Sequence, residues 1–315
     1  MTEIKKRGIF YTIAAITLTF VIVLIYSTYT IYRLVDKLEV IETRIDTVNF
    51  FIKDVEKDIK KGAFIAGFRT LLSFNQYINT NGSFIDNVED RFKESFLNGT
   101  INSTPLNLMV NSTFNDWANK IVAEAQKIDI VFNFTINNVS LRQKDPWSVT
   151  VGLNLTLFIS DKINTSYWIR NVYLTSNIDI QGFEDPLYVV NSKGRVTNTI
   201  TPSNITDFVI GKDVSNLITH LNKSRYIVHS DAPDFLMRLS GNLGNSSNGI
   251  ESMVNLDKFI VQDLAIKDRS SIDYIYFGTQ NTVNHKINNT PDWFQIDDGH
   301  LDTYQVRPVC LPSPC

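Results

Sequence analysis

Residues 8–61 read GIFYTIAAITLTFVIVLIYSTYTIYRLVDKLEVIETRIDTVNFFIKDVEKDIKK, and this stretch decides the architecture of the chain. Beyond Gly8 it contains neither proline nor glycine, the two residues that interrupt helices most strongly. The sequence therefore predicts one continuous helix of about 50 residues over 9–61. The two halves of this helix differ in composition and predict different surroundings.

The first half has the composition of a membrane span. Residues 8–32 carry no charged side chain, and a helix of this length rises roughly 37 Å, against a hydrocarbon core of about 30 Å. Aromatic side chains stand at both ends, where they favour the lipid headgroups. A cleaved signal is the alternative, but its apolar run is only about 7–15 residues and a small-x-small site follows it. We therefore assign 9–32 as a transmembrane helix.

The distribution of charge predicts the orientation of this helix. Residues 1–8, a cytoplasmic terminus or leader, hold Lys5, Lys6 and Arg7 against Glu3, whereas acidic residues are in excess over 33–315. Basic residues next to a span stay in the cytoplasm. We expect a single-pass cell-membrane protein whose C-terminal part is extracellular. The net charge of −3 excludes a broadly basic nucleic-acid-binding protein.

Asparagine is abundant after the span and is concentrated in glycosylation sequons. The composition predicts about five Asn-x-Ser/Thr sequons by chance, and the chain has twelve, all on the side that the charge rule places outside. They indicate a glycosylated ectodomain, the alternative being an Asn/Thr-rich surface without glycans. The sequon residues are Asn81, Asn98, Asn102, Asn111, Asn133, Asn138, Asn154, Asn164, Asn204, Asn222, Asn245 and Asn288.

The second half of the long helix carries a heptad repeat, and we treat 33–78 as a helical stalk. Apolar residues recur at alternating spacings of three and four over four heptads, with mostly charged residues between them. This pattern predicts self-association as a coiled coil. The alternative is that the apolar stripe packs on the globular part of the same chain. The residues predicted to mediate self-association are Leu34, Leu38, Ile41, Ile45, Val48, Ile52, Val55 and Ile59.

The remainder, 79–304, is predicted to be an α+β ectodomain. Helical periodicity occurs over 84–97 and 113–127, with Ser112 or Thr113 as the N-cap of the second helix. From 129 to 304 the chain is rich in strand patterns, and strict alternation over 130–136 and 149–159 is typical of an antiparallel sheet with one polar face. We expect the helices within 84–127 to cover the apolar face. Residues 183–190 are predicted to form a turn that enters a strand.

The tail, 305–315, is rich in proline and is expected to be flexible. Its two cysteines, Cys310 and Cys315, are the only ones in the chain. In an oxidising exterior they could close a small intrachain disulfide, pair between chains or stay free.

Motifs for catalysis or cofactor binding are missing from the sequence, which has no Walker loop, GxGxxG, GxSxG or HExxH pattern. The segment Asp297–Asp302, which includes His300, offers metal ligands, but its spacing does not match an EF-hand and favours a capped turn. His229 with Asp231 favours a hydrogen-bonded turn. We therefore predict no catalytic, cofactor-binding or metal site, and a protein that is not an enzyme.

Lys5-Lys6-Arg7-Gly8, followed at once by the apolar run from Ile9, resembles the leader of archaeal type IV pilin-like proteins. The resemblance implies cleavage after Gly8, a mature start at Ile9 and a filament-core helix over 9–61. The segments FEDPLYVVNS, SGNLG, GIESMVN, DYIYF and DWFQID also resemble uncharacterised archaeal single-pass membrane-anchored ectodomain proteins, a resemblance that brings no activity with it.

These patterns predict a non-enzymatic cell-surface glycoprotein, anchored by its N-terminal transmembrane helix, that is a pilin-like filament or surface-structure subunit. The alternative is a membrane-tethered adhesin or receptor ectodomain that binds an extracellular partner. The expected partners are membrane lipid, further copies of the chain through the stalk, and other cell-surface proteins.

Overall fold

The computed structural model of the chain describes residues 3–162 and 167–311. Its first element is a single helix, α1, Glu3–Asn81, of 79 residues. The chain divides into two compact units, 1–57 and 58–315. The sequence places the boundary between stalk and ectodomain after residue 78, whereas the second compact unit already begins at Asp58 because the last part of α1 belongs to it.

The first unit contains the apolar part of α1. Residues Gly8–Arg33 form a segment of 26 residues with a mean hydropathy of 2.4, none of it buried, which is long and apolar enough to cross a membrane. Its threonines bond internally: the hydroxyls of Thr12, Thr17 and Thr28 donate to backbone carbonyls three residues earlier, at 2.8–2.9 Å. These hydrogen bonds satisfy the hydroxyl groups without water, as a lipid environment requires.

The second unit begins with a helical layer. It contains residues 58–81 of α1, then α2, Val88–Asn98, and α3, Phe114–Lys127. A small hairpin of β1, Thr100–Ile101, and β2, Thr104–Pro105, separates the last two helices. Thr113 is the N-cap of α3: its hydroxyl accepts from the amide of Asp116 at 3.0 Å, and the Asp116 carboxylate accepts from the Thr113 amide at 3.0 Å. This reciprocal pair fixes the start of α3.

A three-stranded antiparallel sheet follows, in the order β3, β4, β5. The strands are β3, Ile130–Asp145, β4, Ser148–Asp161, and β5, Tyr167–Asp179. Every second residue of β4 from Val149 to Ile159 is buried, while Asn154 and Phe158 between them are exposed. The α+β class with antiparallel sheets is therefore confirmed.

Residues 58–81 of α1 lie against the apolar face of this sheet. A Cβ added at Gly67 would lie 2.8 Å from Ile178 Cδ1 and 3.0 Å from Val151 Cγ2, so a larger residue here would push against side chains of the sheet. Nearer the start of the unit, the Ser176 hydroxyl on β5 donates to the Lys60 carbonyl at 2.6 Å. Helix and sheet therefore share one buried layer.

The rest of the second unit consists of short elements around a core of aliphatic and aromatic side chains. Two sheets occur in it, the antiparallel pair β6–β7 and the three-stranded sheet β10–β8–β9. The elements are α4 Pro186–Ser192, α5 Ser215–Lys223, β6 Tyr226–Val228, α6 Phe235–Ser240, β7 Ile250–Ser252, α7 Leu256–Val261, α8 Asp273–Phe277, β8 Asn284–Ile287, β9 Gln295–Asp297 and β10 Cys310–Leu311.

The prediction of a turn and strand over 183–190 is wrong, because a helix, α4, begins at Pro186. Asp185 is its N-cap and accepts a hydrogen bond from the Leu187 amide at 2.9 Å. Proline at the first helical position has a suitable backbone angle and lacks only an amide that would be unpaired there. These start signals outweigh the strand preference of Val189 and Val190.

Candidate functional site

Polar and charged side chains cluster in the core of the second unit, on both sides of β7. The strand pairs with β6, with Ile227 opposite Glu251, and all three of its residues are buried. Because successive side chains of a strand point to opposite faces, Glu251 faces away from its two neighbours. One group lies around Arg238 and the other around Glu251.

Arg238 lies at the centre of the first group, which we call the arginine cluster: Arg238, Asp185 and Asp273, all fully buried. Its Nη1 atom donates to Asp185 Oδ2 at 2.5 Å and to Asp273 Oδ2 at 2.9 Å. The guanidinium also donates to the carbonyl of Ile250 on β7. One cation thus joins α4, α6, α8 and β7.

Hydroxyl groups complete the arginine cluster. Tyr226 donates to Asp185 Oδ2 at 2.8 Å, and Ser252 donates to Asp273 Oδ2 at 2.8 Å. Burial raises the pKa of Asp185; the charge of Arg238 opposes this rise, and the charge of the nearby Asp273 adds to it. For Arg238 itself burial lowers the pKa, but the two carboxylates outweigh that effect and raise it overall. Every charge in the cluster has a partner, so we interpret the cluster as structural, holding the elements that it joins in place.

The second group, which we call the histidine–glutamate cluster, consists of His229, Glu251 and His300. One ligand atom from each residue lies within 4.8 Å of the others. Glu251 Oε2 is 3.3 Å from His229 Nδ1 and 3.2 Å from His300 Nε2. Glu251 and His300 are buried, and the His229 side chain is 18% exposed. The cluster therefore lies just beneath the surface, with His229 on its outer side.

Each member of the histidine–glutamate cluster is held by a further side chain. His300 Nδ1 is 2.7 Å from Asp297 Oδ1, the Tyr304 hydroxyl donates to Glu251 Oε1 at 2.9 Å, and His229 Nε2 is 3.4 Å from the Thr303 hydroxyl. These contacts leave His229 Nδ1, Glu251 Oε2 and His300 Nε2 directed towards one another. His229 Nδ1 and Glu251 Oε2 are buried and have no hydrogen-bond partner.

The electrostatic field at this cluster favours a cation. Burial lowers the pKa of His300, but Asp297 and Glu251 outweigh that effect and raise the pKa to about 10. Burial raises the pKa of Asp297, yet its hydrogen bond with His300 lowers it below its ordinary value. Two buried carboxylates thus face one imidazole from opposite sides. The arrangement can hold a proton or a metal cation.

The structure brings together the two histidines that the sequence singled out and keeps Asp297 beside His300, but it places the other acidic residues named with them elsewhere. Asp231 lies 3.4 Å from Asn245, and Asp302 binds Arg307. Asp298 is instead 3.4 Å from His285. Glu251, the residue that joins the histidines, has no metal-ligand spacing in GIESMVN, and no local signal in the sequence could have found it.

The predicted glycosylation residues within the described chain are all at the surface. Eleven of the twelve sequon asparagines lie within the described chain, and each of the eleven is exposed. Asn133, Asn138 and Asn154 are on β3 and β4, where Asn138 is directly opposite Asn154. The twelfth, Asn164, lies outside the described residues.

The predicted oligomerisation residues differ in exposure. Ile41 and Ile45 are 53% and 43% exposed, whereas Val48, Ile52, Val55 and Ile59 are at most 5% exposed. Ile41 and Ile45 are therefore the exposed members of the stripe among those whose side chains are described, a set that does not include Leu34 and Leu38.

The terminal predictions concern a cleavage site and a disulfide. Gly8 lies within α1 with open space where a Cβ would be, and the Ile9 side chain is exposed. Cys310 is buried and disulfide-bonded. Cys315 lies outside the described residues.

The chain matches no protein-family model, no curated protein and no solved structure. Its function has to be inferred from its own residues. Three features stand out, namely the apolar segment Gly8–Arg33, the exposed sequons and the histidine–glutamate cluster.

Proposed function

We propose that the chain is a non-enzymatic, single-pass cell-surface glycoprotein whose second unit is extracellular, and that it is a pilin-like subunit of a filament or surface structure. The observation that carries the proposal is the exposure of all eleven described sequon asparagines. Glycosylation needs an accessible amide, and a sequon in a buried position would argue against it.

Asparagines outside sequons provide the comparison. Asn198 and Asn255 are each only 7% exposed, and Asn75, Asn216, Asn248 and Asn284 are half-buried. The chain therefore does bury asparagine, but among the described residues it does so only where no sequon is present. This distribution supports selection of the sequons for glycan attachment rather than a uniformly asparagine-rich surface.

The apolar segment Gly8–Arg33 supports the membrane anchor. Its surface is unburied along its whole length, which in water would expose far more apolar area than a monomeric protein normally does. The basic residues before it and the sequons after it agree on one orientation, with the N-terminus in the cytoplasm.

Glycopeptide mapping of the full chain, purified from the cells that make it, tests the glycoprotein assignment. We expect modified asparagines among the twelve sequon positions and none at the other asparagines. A chain with no glycan at any of the twelve would overturn the assignment. Protease treatment of intact cells tests the topology, since an extracellular second unit is digested and a cytoplasmic one is protected.

N-terminal sequencing tests the pilin-like route separately. A mature start at Ile9 supports cleavage of a basic leader after Gly8. An intact Met1 or Thr2 would reject that route and leave a glycoprotein anchored by an uncleaved helix.

Self-association is tested on the exposed part of the stripe. Replacing Ile41 and Ile45 by Lys places two charges on the predicted seam, and we expect oligomers in detergent to dissociate. Thr43→Lys is the matched control, because Thr43 is exposed on the same helix but lies between the stripe positions. Unchanged sedimentation of the Ile41→Lys/Ile45→Lys variant would reject self-association through this stripe.

One feature favours the alternative of an adhesin or receptor ectodomain. An open cleft of about 550 Å³ lies between α1 and the segment before α4. Phe68, Leu72 and Phe183 give it apolar walls, and Asn75 and Gln76 supply polar groups, a mixture typical of ligand sites. An extracellular partner that loses binding with Leu72→Arg, while filaments persist, would favour this alternative.

A further inference from the structure

We propose that His229, Glu251 and His300 bind a divalent transition-metal cation, with zinc as the reference ion. The site belongs to the extracellular unit but does not depend on glycosylation, anchoring or filament formation. The donor set of two imidazoles and one carboxylate suits zinc and its first-row neighbours, whereas calcium and magnesium prefer oxygen ligands throughout.

The spacing of the ligand atoms fits such an ion. Bonds of about 2.0–2.2 Å at tetrahedral angles place two ligand atoms about 3.3–3.5 Å apart. Glu251 Oε2 lies 3.3 Å from His229 Nδ1 and 3.2 Å from His300 Nε2. The ligand atoms of the two histidines lie within 4.8 Å of each other, so the third edge has to shorten when the ion binds, and His229 has the more exposed and less tightly packed side chain.

The residues around the ligands hold them as metal ligands are usually held. A metal-bound histidine commonly donates its other ring nitrogen to a carboxylate, which fixes the tautomer and directs the lone pair at the ion. Asp297 occupies that position at His300 Nδ1, 2.7 Å away, and is itself held by the Ser270 hydroxyl at 2.7 Å. Tyr304 has the corresponding role at Glu251 Oε1.

The atoms left over are those a cation would satisfy. Glu251 Oε2 and His229 Nδ1 are buried and make no well-directed hydrogen bond within the described chain; their polar contact there is the close approach of the imidazoles to Glu251. A cation between the three side chains would satisfy both atoms. The Tyr274 hydroxyl lies 3.1 Å from His300 Nε2, and a hydroxyl can turn its hydrogen away to leave that nitrogen free. A dication also balances the two negative charges of Asp297 and Glu251.

The position of the cluster in the chain predicts what the metal does. Its ligands come from the end of β6, from β7 and from the turn after β9, segments that are far apart in sequence. A metal that links them binds the folded chain and not the unfolded one, so it stabilises the second unit. Three protein ligands leave a coordination position open on the His229 side, where the site reaches the surface.

Titration of the full chain in detergent, without a polyhistidine tag and after treatment with a chelator, tests the site with Zn²⁺ alone. We expect one zinc per chain by calorimetry and by elemental analysis, together with a higher melting temperature. His229→Ala is the decisive variant, because its side chain is the most exposed of the three and its loss spares the core. Zinc affinity should fall at least 100-fold while the circular dichroism spectrum stays the same.

His285→Ala is the matched control, since His285 is a half-buried histidine that faces Asp298 outside the cluster, and it should bind zinc like the wild type. Tyr304→Phe keeps the ring and removes only the hydrogen bond to Glu251, for which we expect about a 10- to 100-fold loss of zinc affinity. Absence of zinc binding by the wild type, or undiminished binding by His229→Ala, would overturn the proposal.

Discussion

Removal of Arg238 provides the sharpest test of how the second unit is held together. In Arg238→Met the side chain keeps similar length, but Asp185 and Asp273 remain buried with no cation beside them. Breaking a buried ion pair by deleting one partner destabilises a protein by about 3–5 kcal/mol, because an uncompensated charge stays in the core. The free energy of unfolding of a domain is about 5–15 kcal/mol in total, so the variant should be only marginally stable.

Urea unfolding of the full chain in detergent, followed by circular dichroism, measures this effect. With a slope of about 3 kcal/mol per M urea, a loss of 3–5 kcal/mol lowers the midpoint by roughly 1–2 M. The charge explanation also predicts rescue. In Arg238→Met combined with Asp185→Asn and Asp273→Asn no carboxylate is left in the arginine cluster, and much of the lost stability should return.

The pH dependence of the single variant separates charge from packing. Burial already raises the pKa of Asp185 above its unfolded value, and loss of Arg238 removes the group that opposes this rise. A carboxyl group whose pKa is raised in the folded state destabilises the protein progressively as the pH rises from its unfolded-state pKa through its folded-state pKa. Arg238→Met should therefore be less destabilised at pH 5 than at pH 8. An equal loss at both pH values, with no rescue in the triple variant, would refute the reasoning.

Three further predictions concern other parts of the second unit. Burial, with a smaller contribution from Arg225, lowers the pKa of His220 to about 4. The free energy of unfolding should therefore fall by up to about 3 kcal/mol as the pH drops from 6.5 to 4. If a His220→Phe variant shows the same pH dependence in urea unfolding, this explanation is contradicted. Asn138 and Asn154 are cross-strand neighbours, so glycans should exclude one another there; intact-glycopeptide counts of doubly modified chains should fall below the product of the single occupancies. Thr113→Ala removes the cap of α3 and should cost about 1–2 kcal/mol of unfolding free energy, while Thr113→Ser should retain it.

The elements that the sequence predicted well are those with long periodic patterns. The alternation in 149–159 marks the buried positions of β4 correctly, because burial on one side of a sheet imposes a period of two on the sequence. Thr113 was identified as an N-cap candidate because the cap depends on residues within one turn. Local chemistry decides both features.

Features that depend on distant contacts could not be predicted in this way. The heptad from Leu34 to Ile59 is continuous in the sequence, yet Ile59, which belongs to the second unit, is buried there whereas Ile41 and Ile45 are exposed. The histidine–glutamate cluster joins segments around residues 229, 251 and 300. No spacing rule links them, and Glu251 becomes recognisable only when the fold places it between two imidazoles.

The alternation of side chains along β7 limits how the sequence of this strand can change in related chains. On opposite sides of this strand, the Ser252 side chain contacts the arginine cluster and the Glu251 side chain contacts the histidines, while the Ile250 carbonyl accepts from Arg238. An insertion or deletion of one residue in β7 would turn the following side chains to the opposite face of the strand, so that both clusters would lose their β7 contacts. In related chains we therefore expect the segment 249–252 to keep a constant length, even where the surrounding loops differ in length.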